Sequence, residues 1–168
     1  MLFRSQKRVF GMLPGLQHAV FVRLGSLHRN TFIDAPKFLD PSLQLRSREG
    51  LFFAGQITGV EGYVESTASG LLAGINAARL FGGMPPLVPP RTTALGSILS
   101  YITDPGREDF QPMNANYGLF PLLPGTERPK PKERKLKLAE RALRDMADWS
   151  RCAVAQAEEK PRFENRFH

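Results

Sequence analysis

Three glycines separate an apolar run from a long helix-forming stretch in the middle of the chain. The run 51–54 ends at Gly55, and Gly59 and Gly62 follow before a proline-free stretch that begins at Tyr63. Glycine permits positive φ and lets a ligand approach the main chain closely, and the free amides at a helix start attract phosphate or another anion. The arrangement therefore suits the pyrophosphate or ribityl chain of a dinucleotide. A tight structural turn is the alternative, since the glycines do not follow the G-x-G-x-x-G spacing.

The residues flanking these glycines indicate a strand before them and a helix after them. The apolar run 51–54 is typical of a short strand buried on both faces of a parallel sheet. Tyr63–Phe81 contains no proline, is rich in Ala and Leu, and stops at Gly82 and Gly83, as helices commonly do. Small residues recur in it every three or four positions and predict a smooth face for close packing: Gly70, Ala73, Gly74 and Ala77.

The remaining segments carry less regular patterns. Residues 1–45 mix short apolar pieces with turn residues, which predicts short strands joined by loops. Ala94–Ile102 has apolar residues at helical spacing, and either threonine of the pair 92–93 can cap it. Residues 110–124 read as an ordered loop that packs in the core. A last helix is predicted over residues 133–149, with a docked face formed by Leu136, Ala139, Leu143, Met146 and Trp149.

Composition and charge bound the class of protein. Of the 168 residues, 42% are hydrophobic and 10% are aromatic, which is enough to form an ordered core. The formal net charge is +7. Lys and Arg exceed Asp and Glu by five in residues 1–50 and by four in residues 127–168, whereas residues 51–126 have two more acidic than basic side chains. The basic flanks favour contact with a polyanion such as nucleic acid, and a merely solvated surface is the alternative.

Cysteine usage and hydropathy exclude several other classes. Cys152 is the only cysteine, so neither an intramolecular disulfide nor a cysteine-rich zinc site can form. No apolar run reaches the roughly 18 residues needed to span a bilayer, and no signal-peptide pattern is present. We therefore expect a soluble protein of the reducing cytoplasm, without a membrane partner or a metal site.

A longer motif around the glycines resembles a known family. Residues 53–66, with the sequence FAGQITGVEGYVES, resemble the second flavin-binding signature of the TrmFO family, the folate- and FAD-dependent tRNA (uracil-5-)-methyltransferases. Further segments resemble that family in the same order: residues 6–10, 12–16, 27–32, 74–79 and 110–119. The GidA family, which modifies the wobble uridine of tRNA, shares a similar strand, loop and helix. Residues 59–66 and 110–119 favour TrmFO, with GidA as the alternative.

The resemblance implies an α/β fold. In that fold a glutathione-reductase-like, Rossmann-type FAD-binding domain is interrupted by a smaller α+β insertion domain. Residues 1–46 would be part of the insertion domain, and residues 47–126 the carboxy-terminal part of the FAD-binding domain. Residues 127–168 would form a basic carboxy-terminal helix and tail. The chain would then be the carboxy-terminal portion of the family protein.

The resemblance also implies which residues lie beside FAD. The matching positions are Gly55, Gln56, Gly59, Gly62 and Tyr63. The loop amides and the helix start would face the ribityl-pyrophosphate portion of the cofactor. The neutral amide of Gln56 would bond to the ribityl hydroxyls, and Tyr63 would lie near the flavin ring, on which a flat face can stack.

A histidine is the expected folate contact. His28 matches the family histidine that sandwiches the folate pterin against the flavin ring, whereas its residue type alone favours a hydrogen-bonded structural role. Arg29 and Asn30 would lie close to the cofactors. Glu61 and Glu65 could suggest an acid–base pair, but carboxylates at a helix start commonly stabilise the backbone dipoles. We therefore assign them no catalytic role.

The family reaction uses two cofactors and a reductant. A one-carbon unit is taken from 5,10-methylenetetrahydrofolate, reduced with FAD that NADPH or NADH has recharged, and placed on carbon 5 of the T-loop uridine in tRNA. The basic flanks would hold tRNA phosphates through Arg4, Lys7, Arg8 and the run 128–137.

Two features of the family are absent from this sequence. It contains neither the first FAD fingerprint, a G-x-G-x-x-G, nor the cysteines expected to act as nucleophile, and Cys152 lies outside the matched blocks. We therefore assign no catalytic residue and expect the isolated chain to bind flavin weakly or not at all and to be inactive. The competing hypotheses are a non-catalytic tRNA-binding remnant and a fragment of another flavin oxidoreductase.

Overall fold

The computed structural model describes residues 3–22, 30–124 and 130–158, without the side chains of residues 3–5 and 157–158. The chain divides into two compact units, Met1–Asn30 and Thr31–His168. The domain boundaries expected at residues 46 and 126 refer to a longer fold and stay a prediction. The described α-helices are α1 (Phe3–Gly11), α2 (Ala35–Phe38), α3 (Tyr63–Phe81), α4 (Ala94–Ile102) and α5 (Pro131–Glu158), and a 3-10 turn spans Gly55–Thr58.

The first unit begins with a helix and not with the predicted strands. Helix α1 forms because neither proline nor glycine interrupts the chain before Gly11. Residues 19–22 are one of the short apolar pieces that favour a strand. They have no strand pairing in the structure, and Val20 and Val22 are exposed. The rings of Phe10 and Phe21 pack with their centroids 5.9 Å apart. The strand prediction is wrong for residues 3–22, where the structure has a helix and the valine side chains of the apolar piece are exposed.

The second unit contains isolated β-bridges where a sheet was predicted. In the described residues no run of bridges is long enough to form a strand, and the bridge pairs are Leu39 with Leu45, Gln44 with Phe52, and Val60 with Met113. The amide of Leu45 donates to the Leu51 carbonyl at 2.8 Å, and that of Phe53 donates to the Leu43 carbonyl at 3.0 Å. Residues 51–53 therefore pair antiparallel with a nearby segment. The prediction of a parallel strand at 51–54 is therefore wrong, and the described residues are mostly helical. The wider α/β architecture stays a prediction.

Helix α4 and helix α3 have the bounds that the sequence predicts. Thr93 is the N-cap of α4, and its hydroxyl oxygen accepts from the Gly96 amide at 3.0 Å. Ile98, Leu99 and Ile102 of α4 are buried in the core of the unit, and Leu95 is partly buried against it. Side chains from other segments complete this core: Leu39, Leu43, Val60 and Leu72.

A buried amide in α3 fastens this helix to two loops. Asn76 is fully buried, and its Nδ2 donates to the carbonyls of Ser42 at 3.1 Å and Leu87 at 2.9 Å. Its Oδ1 accepts from the Leu87 amide at 2.7 Å. Every polar group of this side chain is therefore paired inside the protein.

Replacing Asn76 with alanine is expected to lower the free energy of unfolding by about 3 kcal/mol, because it leaves the buried Ser42 carbonyl and the partly buried N–H and carbonyl of Leu87 unpaired. Urea denaturation followed by circular dichroism measures this change. Asn114→Ala is the matched control, since Asn114 is exposed and its loss should change stability by less than about 0.5 kcal/mol. Equal losses in the two variants would contradict the role given to Asn76.

Helix α5 confirms the helix predicted over residues 133–149 but presents a different face to the core. Leu138 is buried, whereas Leu136 and Leu143, both expected on the docked face, are 60% and 73% exposed. Trp149 packs partly buried against the core, as predicted. The docked face is thus rotated around the helix axis from the predicted one.

Polar contacts explain this rotation of α5. Arg141 donates to the carbonyls of Pro121 at 2.6 Å and Leu122 at 3.0 Å. Asp145 accepts from the hydroxyl of Thr92, and this bond is the largest cause of the lowered pKa of the Asp145 carboxyl. These bonds turn residues 138, 141 and 145 toward the rest of the unit. In the part of the chain that the structure describes, no helix is long and apolar enough to cross a membrane.

Candidate functional site

The three glycines predicted to bind a cofactor lie in one bend, which begins with the 3-10 turn and ends at the start of α3. We call residues 55–62 the flavin bend, after the cofactor that the sequence resemblance leads us to expect there. Gly55, Gly59 and Gly62 all have positive φ, at 74°, 84° and 101°. The Gly59 amide donates to the Gln56 carbonyl at 3.0 Å, and the Gly55 amide donates to Ser69 Oγ at 2.9 Å. The sequence prediction of backbone conformations that favour glycine is confirmed at all three positions.

Gly62 is the N-cap of α3, and no side chain caps the helix there. The first amides of a helix have no partner within the helix and attract an anion or a polar ligand. The Glu65 carboxylate lies over Gly62, and a Cβ at Gly62 would overlap Glu65 Oε2 and stand 2.9 Å from Cδ. The start of α3 therefore needs glycine both for its φ and for the space that Glu65 occupies.

The side chains on the outer side of the flavin bend are open to solvent. Tyr63, the first residue of α3, is 96% exposed, and Val64 beside it is also exposed. Gln56 is exposed in the 3-10 turn. A flat ligand can therefore reach the Tyr63 ring, and a polyol can reach the amide of Gln56, without displacing a protein side chain from the core.

A second segment supports the bend from inside. The Met113 amide donates to the Gly59 carbonyl at 2.9 Å, and the Glu61 amide donates to the Met113 carbonyl at 2.8 Å. Phe110 packs its ring against Gly59 and contacts the rings of Phe32 and Tyr101, with centroid distances of 5.8 Å and 6.0 Å. Residues 110–115, which we call the clamp, thus hold the bend in place.

The clamp was not identified as part of the site from the residues alone. The sequence predicts core packing for the loop 110–124, and this prediction is correct for the buried Phe110. It does not include the hydrogen bonds from Met113 to the bend. The usable signal was the block 110–119, which resembles the same family as the bend itself.

Other predicted site residues lie elsewhere or outside the described residues. His28 and Arg29 are outside them, so the folate contact stays a prediction. Cys152 is an exposed free cysteine on α5. Among the residues with a described placement, no group of three or more His, Cys, Asp or Glu side chains could hold a metal ion.

The outward face of α3 is apolar and uncovered by the described residues. Gly70 and Gly74 have open space where a Cβ would be, while Ala73, predicted on the same face, is buried on the opposite side. Leu71 and Phe81 are 67% and 69% exposed. The small-residue face thus exists without Ala73, and large apolar side chains border it.

Sequence comparison with known proteins relates this chain to a family. The family model described as "Glucose inhibited division protein A" matches residues 1–85, half of the chain. A solved structure of Aquifex aeolicus GidA matches with 28% identity and a TM-score of 0.40, over 60% of this chain and 17% of that chain.

Three curated relatives carry the name methylenetetrahydrofolate–tRNA-(uracil-5-)-methyltransferase TrmFO. The protein from Pelobacter propionicus is 63% identical over 146 residues, which are 86% of this chain and 32% of that protein. The Geobacter sulfurreducens protein is 59% identical over 86% of this chain and 33% of its own length. The Listeria innocua protein is 59% identical over 83% and 32%. The chain spans about a third of the length of these relatives, and it belongs to the glucose inhibited division protein A family, in which it groups with the TrmFO proteins.

Proposed function

We propose that this chain is part of a methylenetetrahydrofolate–tRNA-(uracil-5-)-methyltransferase that depends on FAD. The whole enzyme would transfer a one-carbon unit from 5,10-methylenetetrahydrofolate to carbon 5 of the T-loop uridine in tRNA. The observation that carries the proposal is the flavin bend, whose positive-φ glycines open onto an uncapped helix and an exposed Tyr63. Relatives with 57–63% identity carry this enzyme's name.

The residues of the flavin bend fit one half of FAD. The amides of the bend and the first turn of α3 suit the ribityl-pyrophosphate portion. In this proposal the exposed amide of Gln56 bonds ribityl hydroxyls, and the exposed ring of Tyr63 stacks on the isoalloxazine. When bound, FAD would supply the electrons that reduce the one-carbon unit, with NADPH or NADH as the source of those electrons.

The wider fold that this function needs is a glutathione-reductase-like FAD-binding domain with an insertion domain. We place residues 1–46 in the insertion domain, residues 47–126 in the FAD-binding domain and residues 127–168 in a basic terminal element. The uncovered apolar face of α3 supports this arrangement, because the relatives are about three times as long and have further chain to cover it.

Basic side chains in each of the two units supply contacts for tRNA in this proposal. Lys7 and Arg8 are exposed on α1, and Lys132, Arg134 and Lys135 are exposed in the first turns of α5. Such cations position a nucleic acid by its phosphates and carry no base specificity. In the same proposal folate contacts His28. An enzyme that methylates tRNA in this way would work in the cytoplasm.

A chimera tests the function. This chain replaces the matching third of the Pelobacter propionicus TrmFO, and the purified chimera is expected to contain flavin and to methylate a tRNA transcript from methylenetetrahydrofolate. The chain by itself should purify without flavin. Tyr63→Ala in the chimera should weaken FAD binding about tenfold, whereas Tyr63→Phe, which keeps the ring, should change it less than about threefold.

The product separates the alternatives. A flavin-loaded chimera that transfers nothing to the T-loop uridine would overturn the proposal, and modification of the wobble uridine would indicate the GidA-type reaction. The exposed cations of α5 favour a second candidate, a non-catalytic tRNA-binding module. That candidate requires the bare chain to bind tRNA with an affinity that falls steeply as salt increases.

A further inference from the structure

We propose that Glu65 is a positioning residue that fixes the flavin bend in its ligand-binding shape. The inference rests on the proposed function, because it concerns the same bend. Glu65 lies in the first turn of α3, two residues after Tyr63, and its side chain is half-buried. Its carboxylate lies between Gly62, the N-cap of α3, and Ala115.

The Glu65 carboxylate touches both parts of the site. Oε1 accepts from the Ala115 amide in the clamp at 3.3 Å, and Oε2 lies against Gly62 in the bend. One side chain thus spans from the N-cap of α3 to the clamp. The contact is at long range in sequence, since 50 residues separate Glu65 from Ala115.

The clamp completes the same connection through its backbone. Met113 uses its amide and its carbonyl on Gly59 and Glu61, and Ala115 uses its amide on Glu65. The side chains of Met113 and Ala115 are partly buried against the core, while Asn114 between them is exposed. Three hydrogen bonds therefore join the clamp to Gly59, Glu61 and Glu65. They hold the chain on both sides of Gly62.

A bend held in place by these hydrogen bonds should bind a ligand more tightly than a mobile one. A bend that is already fixed does not lose conformational freedom when a ligand binds, whereas a loose bend does, and its affinity falls accordingly. Releasing the Glu65 contact should leave the two Met113 hydrogen bonds of the bend in place. It should loosen the chain at Gly62, against which the carboxylate lies, and thereby the start of α3 at Tyr63. Glu65 acts through the bend and need not touch the ligand.

The first test measures the contact itself on the chain. Glu65→Ala is expected to speed amide hydrogen exchange at Ala115 about tenfold, since the amide loses its charged acceptor. Glu65→Gln should stay within about twofold of the original chain, because an amide oxygen still accepts. The Leu87 amide, held by Asn76, should be unchanged in both variants. Alanine has a high helix propensity, so α3 should persist, with circular dichroism as the check.

The second test measures ligand binding in the chimera with FAD as the probe. Glu65→Ala should weaken FAD binding about tenfold and Glu65→Gln less than about threefold. Glu140→Ala is the matched control, because it removes an equal charge from an exposed side chain on a helix outside the bend and the clamp and should change affinity less than about twofold.

The outcomes separate the inference from the function on which it rests. Faster exchange at Ala115 with unchanged FAD affinity would overturn the positioning role while the proposed function stands. Equal losses for Glu65→Ala and Glu65→Gln would also overturn it, since charge and not the hydrogen bond would then be responsible. An unsubstituted chimera that binds no FAD would count against the proposed function, and the exchange at Ala115 would still test the contact.

Discussion

Replacing Gly96 with alanine is expected to lower the free energy of unfolding by at least about 3 kcal/mol. Gly96 lies in the first turn of α4, where the helix passes directly over the backbone of Pro89 and Pro90. A Cβ at this position would overlap the Pro90 carbonyl oxygen and stand 2.5 Å from its carbon and 2.6 Å from the Pro89 oxygen. These are backbone atoms, so no rotamer change can relieve the overlap.

The surroundings of Gly96 make the loss larger than an ordinary overpacked core. The Thr93 hydroxyl accepts from the Gly96 amide and itself donates to the Pro90 carbonyl at 2.7 Å. Moving α4 away from Pro90 to admit a methyl group would stretch both bonds of this cap. Helix α4 supplies Ile98, Leu99 and Ile102 to the core, so a shift there is transmitted to the centre of the unit.

Gly74→Ala is the matched control for this prediction. Gly74 is also a glycine within a helix, but it is exposed on α3 and has no atom within 4 Å of its Cβ position. The same substitution should therefore stabilise the protein by about 0.5–1 kcal/mol, through helix propensity alone. Chemical denaturation of the two variants should give changes of opposite sign. A stability loss at Gly96 below about 1 kcal/mol would mean that α4 does not approach Pro90 as closely as described.

Helices α3 and α4 could be predicted from the sequence because their end signals are local. Gly82 and Gly83 stop α3, and Thr93 caps α4, so each boundary depends on residues next to it in the chain. The glycines of the flavin bend are predictable for the same reason, since positive φ is a property of a single residue. The resemblance to TrmFO is confirmed by relatives of 57–63% identity.

Features that depend on distant residues could not be predicted in this way. The face that α5 presents is set by Arg141 and Asp145, whose partners lie about 20 and 53 residues away in the sequence. Heptad-like leucine spacing carries no information on these bonds, so Leu136 and Leu143 were placed on the wrong face. The apolar run 51–54 predicts burial, but periodicity does not reveal which segment pairs with it.

The clamp was missed for a related physical reason. Its contacts with the bend are mostly backbone hydrogen bonds, as in Met113 to Gly59, and any residue type can make them. Glu65 is the exception, because its carboxylate accepts a hydrogen bond from the Ala115 amide. From the sequence alone, the same carboxylate is equally well interpreted as one that stabilises the start of the helix. Only the fold shows that the same side chain reaches Ala115.

Gly59→Ala is expected to cost about 3 kcal/mol of stability and to abolish flavin binding by the chimera. The residue has a φ of 84°, a region that costs an L-residue about 1–2 kcal/mol. In addition, a Cβ would overlap Phe110 Cζ and stand 2.9 Å from Cε1. Phe110 is buried between the rings of Phe32 and Tyr101, so it cannot swing away freely. The substitution therefore forces either the bend or the clamp out of position.

Gly55→Ala separates the two causes of this loss. Gly55 has a similar φ of 74°, but its Cβ would meet only Ser66 Cβ at 3.7 Å, an ordinary contact. It should therefore lose only the backbone part, about 1–2 kcal/mol. Phe110→Leu, which removes the overlapping ring atoms, should cost stability by itself yet recover part of the loss in the Gly59→Ala background. A coupling energy of at least about 1 kcal/mol in that double-mutant cycle is expected from denaturation curves. Strict additivity would mean that the Phe110 ring does not limit the space at Gly59, and the clamp would then lose its packing contact with the bend.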